Sequence, residues 1–195
     1  MIRFCDIVFS FIGLLLLSPL FLIVALWIII DNPGPVFYRQ QRVGKDNKDF
    51  ELLKFRSMRG GADKNSLITI GNRDPRITRA GYYLRKYKLD ELPQLWNVLI
   101  GDMSLVGPRP EVRKYVDLYT EEQRKVLSVR PGITDYASIE YIDENNLLAQ
   151  SKNPDKTYIE EIIPAKIALN MRYIAHQTIG EYLKIIFLTI IKIIQ

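Results

Sequence analysis

The stretch LLLLSPLFLI, residues 14–23, places a serine and a proline in the middle of an apolar run over residues 7–30. As one straight helix the run is long enough to cross a membrane, because a spanning helix needs about 20 residues. Pro19 has no N–H group, so the carbonyl of Leu15 loses its helical partner, and the Ser18 hydroxyl can bend the helix further. Two arms of about 16 Å each would then form a hairpin within one leaflet. The residues alone favour a kinked spanning helix, with the hairpin as the alternative, because polar backbone inside a membrane is costly.

A polar breaker separates the apolar run from the rest of the chain. Residues 31–35 read Asp-Asn-Pro-Gly-Pro, which is not the small-residue cleavage site of a secretory signal. Seven basic residues against three acidic ones lie between Arg39 and Arg59, and such an excess beside a membrane segment marks the cytoplasmic side. We therefore predict a membrane-inserted segment over residues 1–35 and a cytoplasmic domain over residues 36–195.

Composition narrows the chemistry that this domain can perform. The 195 residues include 27 lysines and arginines against 22 aspartates and glutamates, which favours anionic partners such as lipid headgroups, phosphorylated substrates or nucleic acid. Cys5 is the single cysteine and His176 the single histidine, so an intrachain disulfide and a cysteine or multi-histidine metal cluster are excluded. We expect any catalysis to rely on carboxylates and cations, with or without a hard metal ion.

The remaining pattern predicts an α+β domain that is mostly helical. Residues 36–43 and 50–55 are rich in β-branched and aromatic residues and flank a turn, which predicts a β-hairpin. The predicted helices cover residues 80–88, 92–100, 111–119, 121–129, 165–176 and 179–194, and Gly101 ends the second of them. Residues 140–155 are polar and asparagine-rich and predict an irregular segment. The helix at 179–194 is amphipathic and either packs on the domain or lies in the membrane interface.

Two adjacent carboxylates, Asp90 and Glu91, lie within the basic stretch DPRITRAGYYLRKYKLDELPQLWN, residues 74–97. One interpretation is structural: Asp90 is the N-cap of the helix that follows, and Glu91 lies in its first turn. The other is functional: the carboxylates and the surrounding cations form a site for a phosphorylated substrate and Mg²⁺, which is typically held by one or two carboxylates together with substrate phosphates. Spacing alone favours the N-cap.

Three further cations are candidates for phosphate contacts. Arg109 lies between two prolines, so its backbone is nearly fixed and its guanidinium can be placed in advance for a charged group. Lys54 and Arg56 flank a phenylalanine and share one face of the second hairpin strand. A surface salt bridge for Arg109 and a solvated strand face for the other two are the ordinary alternatives.

In combination, these segments resemble the bacterial sugar transferase family, the monotopic phosphoglycosyl transferases that begin glycan assembly on polyprenyl phosphate. The resemblance covers nearly the whole chain, and the block from Leu89 to Pro110 is highly specific. The matching segments are the apolar run with its Ser-Pro pair, KFRSM (54–58), RDPRIT (73–78), LDELPQLWNV (89–98), GDMSLVGPRP (101–110) and RPGIT (130–134). After Thr134 the chain reads DYASIE in place of the commoner GWAQVNG, which leaves the sugar preference open.

The resemblance implies a two-step reaction. Asp90 attacks the sugar-bearing phosphate of a UDP-sugar and releases UMP, and polyprenyl phosphate then takes the phosphosugar from the aspartyl intermediate. Glu91 completes an Asp-Glu dyad as a metal ligand or as the partner of Asp90, and Mg²⁺ is expected at Asp90, Glu91 or both. The cations assigned to substrate phosphates are Arg109, Lys54 and Arg56, and Arg85 is a fourth candidate for the same contact.

The resemblance also implies that Ser18 and Pro19 form the turn of a re-entrant hairpin, which outweighs the kinked span. The expected fold is therefore α+β and mostly helical: an N-terminal re-entrant membrane helix hairpin, with a small β-hairpin and interfacial amphipathic helices around a compact catalytic domain. Its expected location is the cytoplasmic face of the bacterial inner membrane. The expected partners are UDP-sugar, polyprenyl phosphate and anionic membrane lipid, without nucleic acid, and a homodimer is left open.

Two rival functions fit part of the same sequence. A membrane-tethered protein that binds anionic lipid or nucleic acid would explain the charge and the apolar run, but not the acids inside the basic region. A carboxylate-dependent phosphohydrolase would use the same residues and transfer the phosphosugar to water.

Overall fold

The computed structural model describes residues 1–61 and 74–194, which form a mostly helical α+β protein with two small sheets in these ranges. The helices are α1 Ile2–Asp31, α2 Arg79–Lys86, α3 Gln94–Ile100, α4 Arg113–Val116, α5 Glu121–Arg124, α6 Tyr136–Glu140, α7 Glu144–Gln150, α8 Pro154–Thr157, α9 Ile163–Ala175 and α10 Ile179–Ile194. The strands are β1 Phe37–Val43, β2 Asp49–Phe55, β3 Ser104–Val106 and β4 Gly132–Thr134. Turns of 3-10 helix lie at Lys45–Asn47, Leu89–Glu91 and Lys125–Ser128, and a π-helical turn at Tyr158–Ile162 precedes α9.

The apolar N-terminal run forms one helix of 30 residues, α1, with Pro19 inside it. The prediction of two helical arms separated by a turn at Ser18 and Pro19 is therefore wrong. The Ser18 hydroxyl donates to the carbonyl of Leu15 at 2.8 Å. This carbonyl is the acceptor that the missing N–H of Pro19 leaves without a helical partner, so the serine lets the helix continue past the proline. In the described part of the chain, α1 is the helix that is long and apolar enough to cross a membrane.

Both ends of α1 are bound to the rest of the protein. Near the N-terminus, the Arg3 guanidinium donates to two carbonyls at the end of α3. The Asp6 carboxylate, which is 1% exposed, accepts a hydrogen bond from the Ser104 hydroxyl at 2.9 Å. At the other end, the Asp31 carboxylate accepts from the N–H of Ala80 in α2 at 2.9 Å. Both ends of the apolar helix therefore contact the same polar domain.

The predicted hairpin is confirmed. β1 and β2 pair antiparallel, with Phe37 opposite Phe55 and Lys54 opposite Tyr38. Asp46 and Asn47 make the connection possible, because both have a positive φ of about 60°, a conformation that aspartate and asparagine adopt more readily than most residues. The hairpin carries Lys54 and Arg56 on its second strand and the residues that follow it.

A second pairing positions Arg109. β3 and β4 are parallel, with Ser104 opposite Gly132 and Val106 opposite Thr134. Gly107 and Gly132 approach so closely that neither has room for a Cβ atom. The pairing therefore brings the loop after β3, which carries Arg109, next to the residues that lead into α6.

Most of the predicted helices are present, and one segment differs. Gly101 has φ 102° and ends α3, as its sequence position predicts. Residues 140–155, predicted to be irregular, contain α7 and the start of α8. The reason is Leu148, which is 1% exposed and packs in a core with Tyr158 and Ile162, so one buried leucine anchors an otherwise polar helix.

The last helix, α10, has two apolar faces. Tyr182 and Ile185 are fully buried in a core with Val106, which confirms that the helix packs on the domain. Phe187 and Ile190, by contrast, are 63% and 52% exposed. The location of this helix in a membrane interface stays a prediction, and the exposed face is the part of the helix that would contact lipid.

Candidate active site

Asp90 lies in a tight turn just before α3. Lys88 begins this turn with φ 55°, a left-handed conformation that is unusual for lysine and is often found at functional sites. Asp90 then falls inside the 3-10 turn and is 5% exposed. The N-cap of α3 is Pro93, without a side-chain capping bond. The interpretation of Asp90 as an N-cap is therefore wrong, and the turn leaves its carboxylate without that structural role.

Asp90 is surrounded by opposing electrostatic influences. Burial, and then the charge of Glu91, raise the pKa of the Asp90 carboxyl above its usual value, and Lys54, Arg85 and Lys88 oppose this shift only in part. The described residues donate no hydrogen bond to this carboxylate. Asp90 is therefore a buried acid with a raised pKa, close to three cations.

Glu91, the adjacent acid, is fully engaged. The Arg109 guanidinium donates to both carboxylate oxygens, with the Nη1–Oε2 bond at 3.0 Å, and Lys54 Nζ lies 3.8 Å from Oε1. Although burial opposes the charge, Arg109 and Lys54 hold the pKa of Glu91 well below its usual range. Glu91 therefore orients two cations, and its own charge is neutralised by them.

Arg109 is fixed through its backbone as well as its side chain. It lies between Pro108 and Pro110, and its N–H donates to Oδ2 of Asp135 at 2.9 Å. The charge of Glu91 is the main reason why the pKa of Arg109 is raised above its already high value. The predicted salt bridge and the predicted pre-placed guanidinium are thus both present, because the salt bridge is what holds the guanidinium in place.

Lys54 is the cation of this group that is easiest to discharge. Burial lowers its pKa to about 8, an effect that Glu91 opposes and Arg109 reinforces. Its side chain is 16% exposed, which contradicts the alternative of a solvated strand face. Lys54 can therefore change its charge near neutral pH while the neighbouring arginine cannot.

The other two predicted phosphate ligands differ from Arg109. The Arg56 guanidinium donates to the carbonyls of Asn32 and Pro33, just beyond the end of α1, so it is already occupied by backbone. Arg85 lies on α2, and its positive charge lowers the pKa of Asp90. Arg73, in the family-like segment RDPRIT, lies outside the described residues. The phosphate contacts of Arg56 and Arg85 stay predictions.

A single cavity of about 1100 Å³ joins these groups to a second region. The predicted site residues all line this cavity, and we name the part that they form the phosphate end. They are Asp90, Glu91, Lys54, Arg56, Arg85 and Arg109. The same cavity is lined by a second group of residues, which we name the α6–α9 wall: Ser138, Tyr141, Ile163, Ile167 and Asn170. Sequence reasoning counted Lys88 only as part of the basic stretch and did not select Asp135 or Asn170, because no local pattern distinguishes a single aspartate or asparagine of the site from one at the surface.

Comparison with known proteins identifies the family. The model for the family described as bacterial sugar transferase matches residues 1–195. The chain belongs to the bacterial sugar transferase family. The resemblance drawn from the motifs is thus confirmed.

Three relatives illustrate the range of the family. A UDP-N-acetylgalactosamine-undecaprenyl-phosphate N-acetylgalactosaminephosphotransferase of Aeromonas hydrophila is 45% identical over 142 residues, which are 70% of this chain and 33% of the relative. A UDP-glucose:undecaprenyl-phosphate glucose-1-phosphate transferase of Escherichia coli is 35% identical over 96% of this chain and 39% of the relative. The exopolysaccharide production protein PSS of Rhizobium leguminosarum is 39% identical over 97% of this chain and 93% of the relative. The chain spans about a third of the first relative and nearly all of the third.

The site fits a divalent cation in one specific way. No cluster of three or more acidic, histidine or cysteine side chains exists among the residues that the structure describes. Both oxygens of Glu91 are engaged by Arg109, whereas the Asp90 carboxylate is open to the cavity. One carboxylate together with substrate phosphates is a donor set that Mg²⁺ uses. A member of this sugar transferase family with this site could therefore hold Mg²⁺ at Asp90, with Glu91 less suited than the sequence predicted.

Proposed function

We propose that the chain transfers a sugar-1-phosphate from a UDP-sugar to polyprenyl phosphate, releasing UMP and so beginning the synthesis of a membrane-associated glycan. The observation that carries this proposal is the buried Asp90 carboxylate, which accepts no hydrogen bond from the described residues and lines a cavity together with Glu91, Arg109 and Lys54. A site with fixed cations beside one open carboxylate suits attack on a phosphorus atom, because the cations offset the negative charge of the diphosphate.

In the proposed mechanism Asp90 is the nucleophile. An oxygen of its carboxylate attacks the phosphorus that bears the sugar, and the bond from that phosphorus to the bridging oxygen breaks, so UMP leaves with the bond's electron pair. A phosphate oxygen of polyprenyl phosphate then attacks the same phosphorus and releases Asp90. Arg109, held by Glu91, binds the equatorial phosphate oxygens in both steps. Lys54 adds a second positive charge beside them.

Mg²⁺ would be held by Asp90 and substrate phosphates, and it would supply charge neutralisation at the diphosphate. We therefore expect turnover to stop in excess chelator and to return when Mg²⁺ is added back. Undiminished turnover in chelator would contradict a metal requirement.

For the membrane segment, we propose that α1 lies within the cytoplasmic leaflet of a bacterial inner membrane and does not cross it. Arg3 and Asp6 at one end and Asp31 at the other all bind the polar domain, and a helix that crossed the bilayer would carry one end about 30 Å away from it. The middle of the helix is the part available to lipid, since residues 15–16 and 22–23 are each more than 60% exposed. Cysteine placed at position 2 should resist a membrane-impermeant maleimide in intact cells, and labelling from outside would contradict this topology.

For the donor, we propose a UDP-N-acetylhexosamine. The relative from Aeromonas hydrophila is named for N-acetylgalactosamine phosphate transfer and is more similar to this chain, at 45% identity, than the Escherichia coli relative named for glucose, at 35%.

The test is UMP release from a panel of UDP-sugars by the full chain in vesicles with undecaprenyl phosphate and Mg²⁺. We expect UMP and a lipid-linked sugar diphosphate in equal amounts with at least one donor. Free sugar phosphate as the main product would favour the phosphohydrolase. Binding to anionic vesicles without UMP release from any donor would favour the tethered binding protein.

A further inference from the structure

Two polar atoms on the cavity wall have no hydrogen-bond partner. Among the described residues, the buried side-chain atoms without a partner are Arg42 Nε, Arg56 Nε, Gln94 Nε2, Ser138 Oγ and Asn170 Oδ1. Both arginines form hydrogen bonds through their other nitrogens, and Gln94 does not line the cavity. Ser138 and Asn170 both do. Because about 90% or more of buried polar atoms are paired in proteins, two unpaired buried atoms on residues that line one cavity favour a ligand that completes their hydrogen bonds.

Ser138 is tied directly to the phosphate end of the cavity. The Asp135 carboxylate, which is fully buried, accepts the N–H of Arg109 on Oδ2 and the N–H of Ser138 on Oδ1. One carboxylate thus fixes the backbone of the predicted phosphate ligand and the first turn of α6 together. In a UDP-sugar the sugar is bonded directly to the outer phosphate, so a sugar whose phosphate contacts Arg109 must lie next to α6.

Asn170, on α9, lines the same cavity. Its side chain is 5% exposed, and α6 and α9 pack together where Ile139 contacts the core that contains Tyr173. Around Ser138 and Asn170 the cavity is lined by Tyr141, Ile163 and Ile167 among others. The wall therefore combines one hydroxyl and one amide with apolar side chains.

We propose that Ser138 and Asn170 bind the acetamido group of the donor sugar, an inference that rests on the proposed function. An acetamido group has one N–H donor, one carbonyl acceptor and one methyl group. Asn170 Oδ1 accepts the N–H, the Ser138 hydroxyl donates to the carbonyl, and the apolar side chains surround the methyl group. A sugar with a hydroxyl in that position cannot satisfy both protein atoms and leaves the methyl space unfilled.

The melting temperatures of variants distinguish a ligand-binding role of these two residues from a purely structural one. An unpaired buried oxygen destabilises the unliganded protein, because it loses water without gaining a partner. Ser138→Ala and Asn170→Leu should therefore melt at the temperature of the wild type or above it. A residue that served only the fold would lower the melting temperature when removed.

The experiment compares kcat/KM for UDP-N-acetylgalactosamine and UDP-N-acetylglucosamine with the values for UDP-galactose and UDP-glucose, using UMP release by the full chain in vesicles. We expect the wild type to prefer the acetamido sugars. Each variant should lower that preference about tenfold, the effect of one lost hydrogen bond to the substrate, with little change for the sugars without an acetamido group. Ser128→Ala and Asn146→Leu, both at exposed positions, are matched controls and should change neither value.

The outcomes separate this inference from the proposed function. If the wild type releases no UMP from any UDP-sugar, the proposed function itself is wrong. If the wild type is active but prefers sugars without an acetamido group, or if the variants keep its preference, the inference is overturned and the two atoms hold only water. If one variant fails to fold, the other alone decides, since each removes one of the two hydrogen bonds.

Discussion

The phosphate end of the cavity and the α6–α9 wall differ in whether their polar groups have partners within the protein. At the phosphate end, Glu91 is bound by Arg109 and lies close to Lys54 before any substrate arrives. On the α6–α9 wall, Ser138 and Asn170 each have a side-chain oxygen that no described residue pairs with. The difference follows from charge, because an unpaired buried ion costs far more free energy than an unpaired buried hydroxyl or amide.

This contrast indicates which part of the site is fixed and which can vary. A buried acid and its cations must be kept together, so the phosphate end is organised in advance for one type of chemistry. Neutral groups on the α6–α9 wall can be exchanged at small cost in stability, so that wall can be adapted to different sugars. Asp90 is the exception at the phosphate end, since it is an acid that no described residue engages by a hydrogen bond.

The largest expected effect comes from Asp90→Asn. The amide keeps the size of the side chain and removes the nucleophile, and because Asp90 is not an N-cap the fold should not depend on it. We expect exchange of labelled UMP into UDP-sugar, measured without lipid acceptor, to fall at least about 1000-fold. The melting temperature should be retained.

The covalent role of Asp90 would be contradicted by a folded Asn variant that still exchanges UMP. Trapping the intermediate with the wild type and mapping the added mass to a peptide distinguishes Asp90 from Glu91 directly. A mass on Glu91 would reverse the roles assigned to the two acids.

A smaller effect is expected from Glu91→Gln, which tests whether pairing organises the phosphate end. Loss of the charge releases the Arg109 guanidinium and leaves a buried cation without its counterion, so we expect kcat/KM to fall about 100-fold. The double variant Glu91→Gln/Arg109→Lys should lose little more than the single variants, because both disrupt one ion pair. If the fold-losses in kcat/KM of the two single variants multiply in the double variant, Glu91 acts independently of Arg109, for example as a metal ligand.

The next prediction concerns Lys54 and the dependence of kcat/KM on pH. Its pKa is lowered from 10.5 to about 8, so the free enzyme carries this cation below pH 8 and loses it above. Since kcat/KM reports the free enzyme, it should be level below about pH 8 and fall by up to about tenfold for each pH unit above. In Lys54→Arg the plateau should extend beyond pH 9, because arginine stays protonated. The same decline in both proteins would assign it to another group.

Sequence reasoning identified the phosphate end more fully than the rest of the molecule. Asp90, Glu91 and Arg109 could be found because carboxylates among cations and an arginine between prolines are local patterns. The N-cap prediction for Asp90 failed because the left-handed Lys88 starts a separate 3-10 turn, which sequence spacing does not reveal. Ser138 and Asn170 are brought to one wall only by the packing of α6 on α9, and the unbroken α1 depends on the Ser18 hydroxyl reaching the carbonyl that Pro19 leaves free.

The smallest effect on catalysis is expected for Arg56, which lines the cavity as Arg109 does but is engaged differently. Its guanidinium binds the carbonyls of Asn32 and Pro33, and the backbone at Gly34 passes so close to it that a Cβ there would collide with the guanidinium. Arg56 therefore joins the end of α1 to the domain. Arg56→Gln should lose charge-assisted hydrogen bonds worth about 2 kcal/mol, and the melting temperature should fall by roughly 2–4 °C per kcal/mol for a chain of this size. KM for the UDP-sugar should change less than about threefold, whereas Arg109→Gln, the matched change at the phosphate end, should raise KM at least about tenfold. A large rise in KM for Arg56→Gln at an unchanged melting temperature would instead support the phosphate contact that the sequence predicted, and would extend the phosphate end to the base of α1.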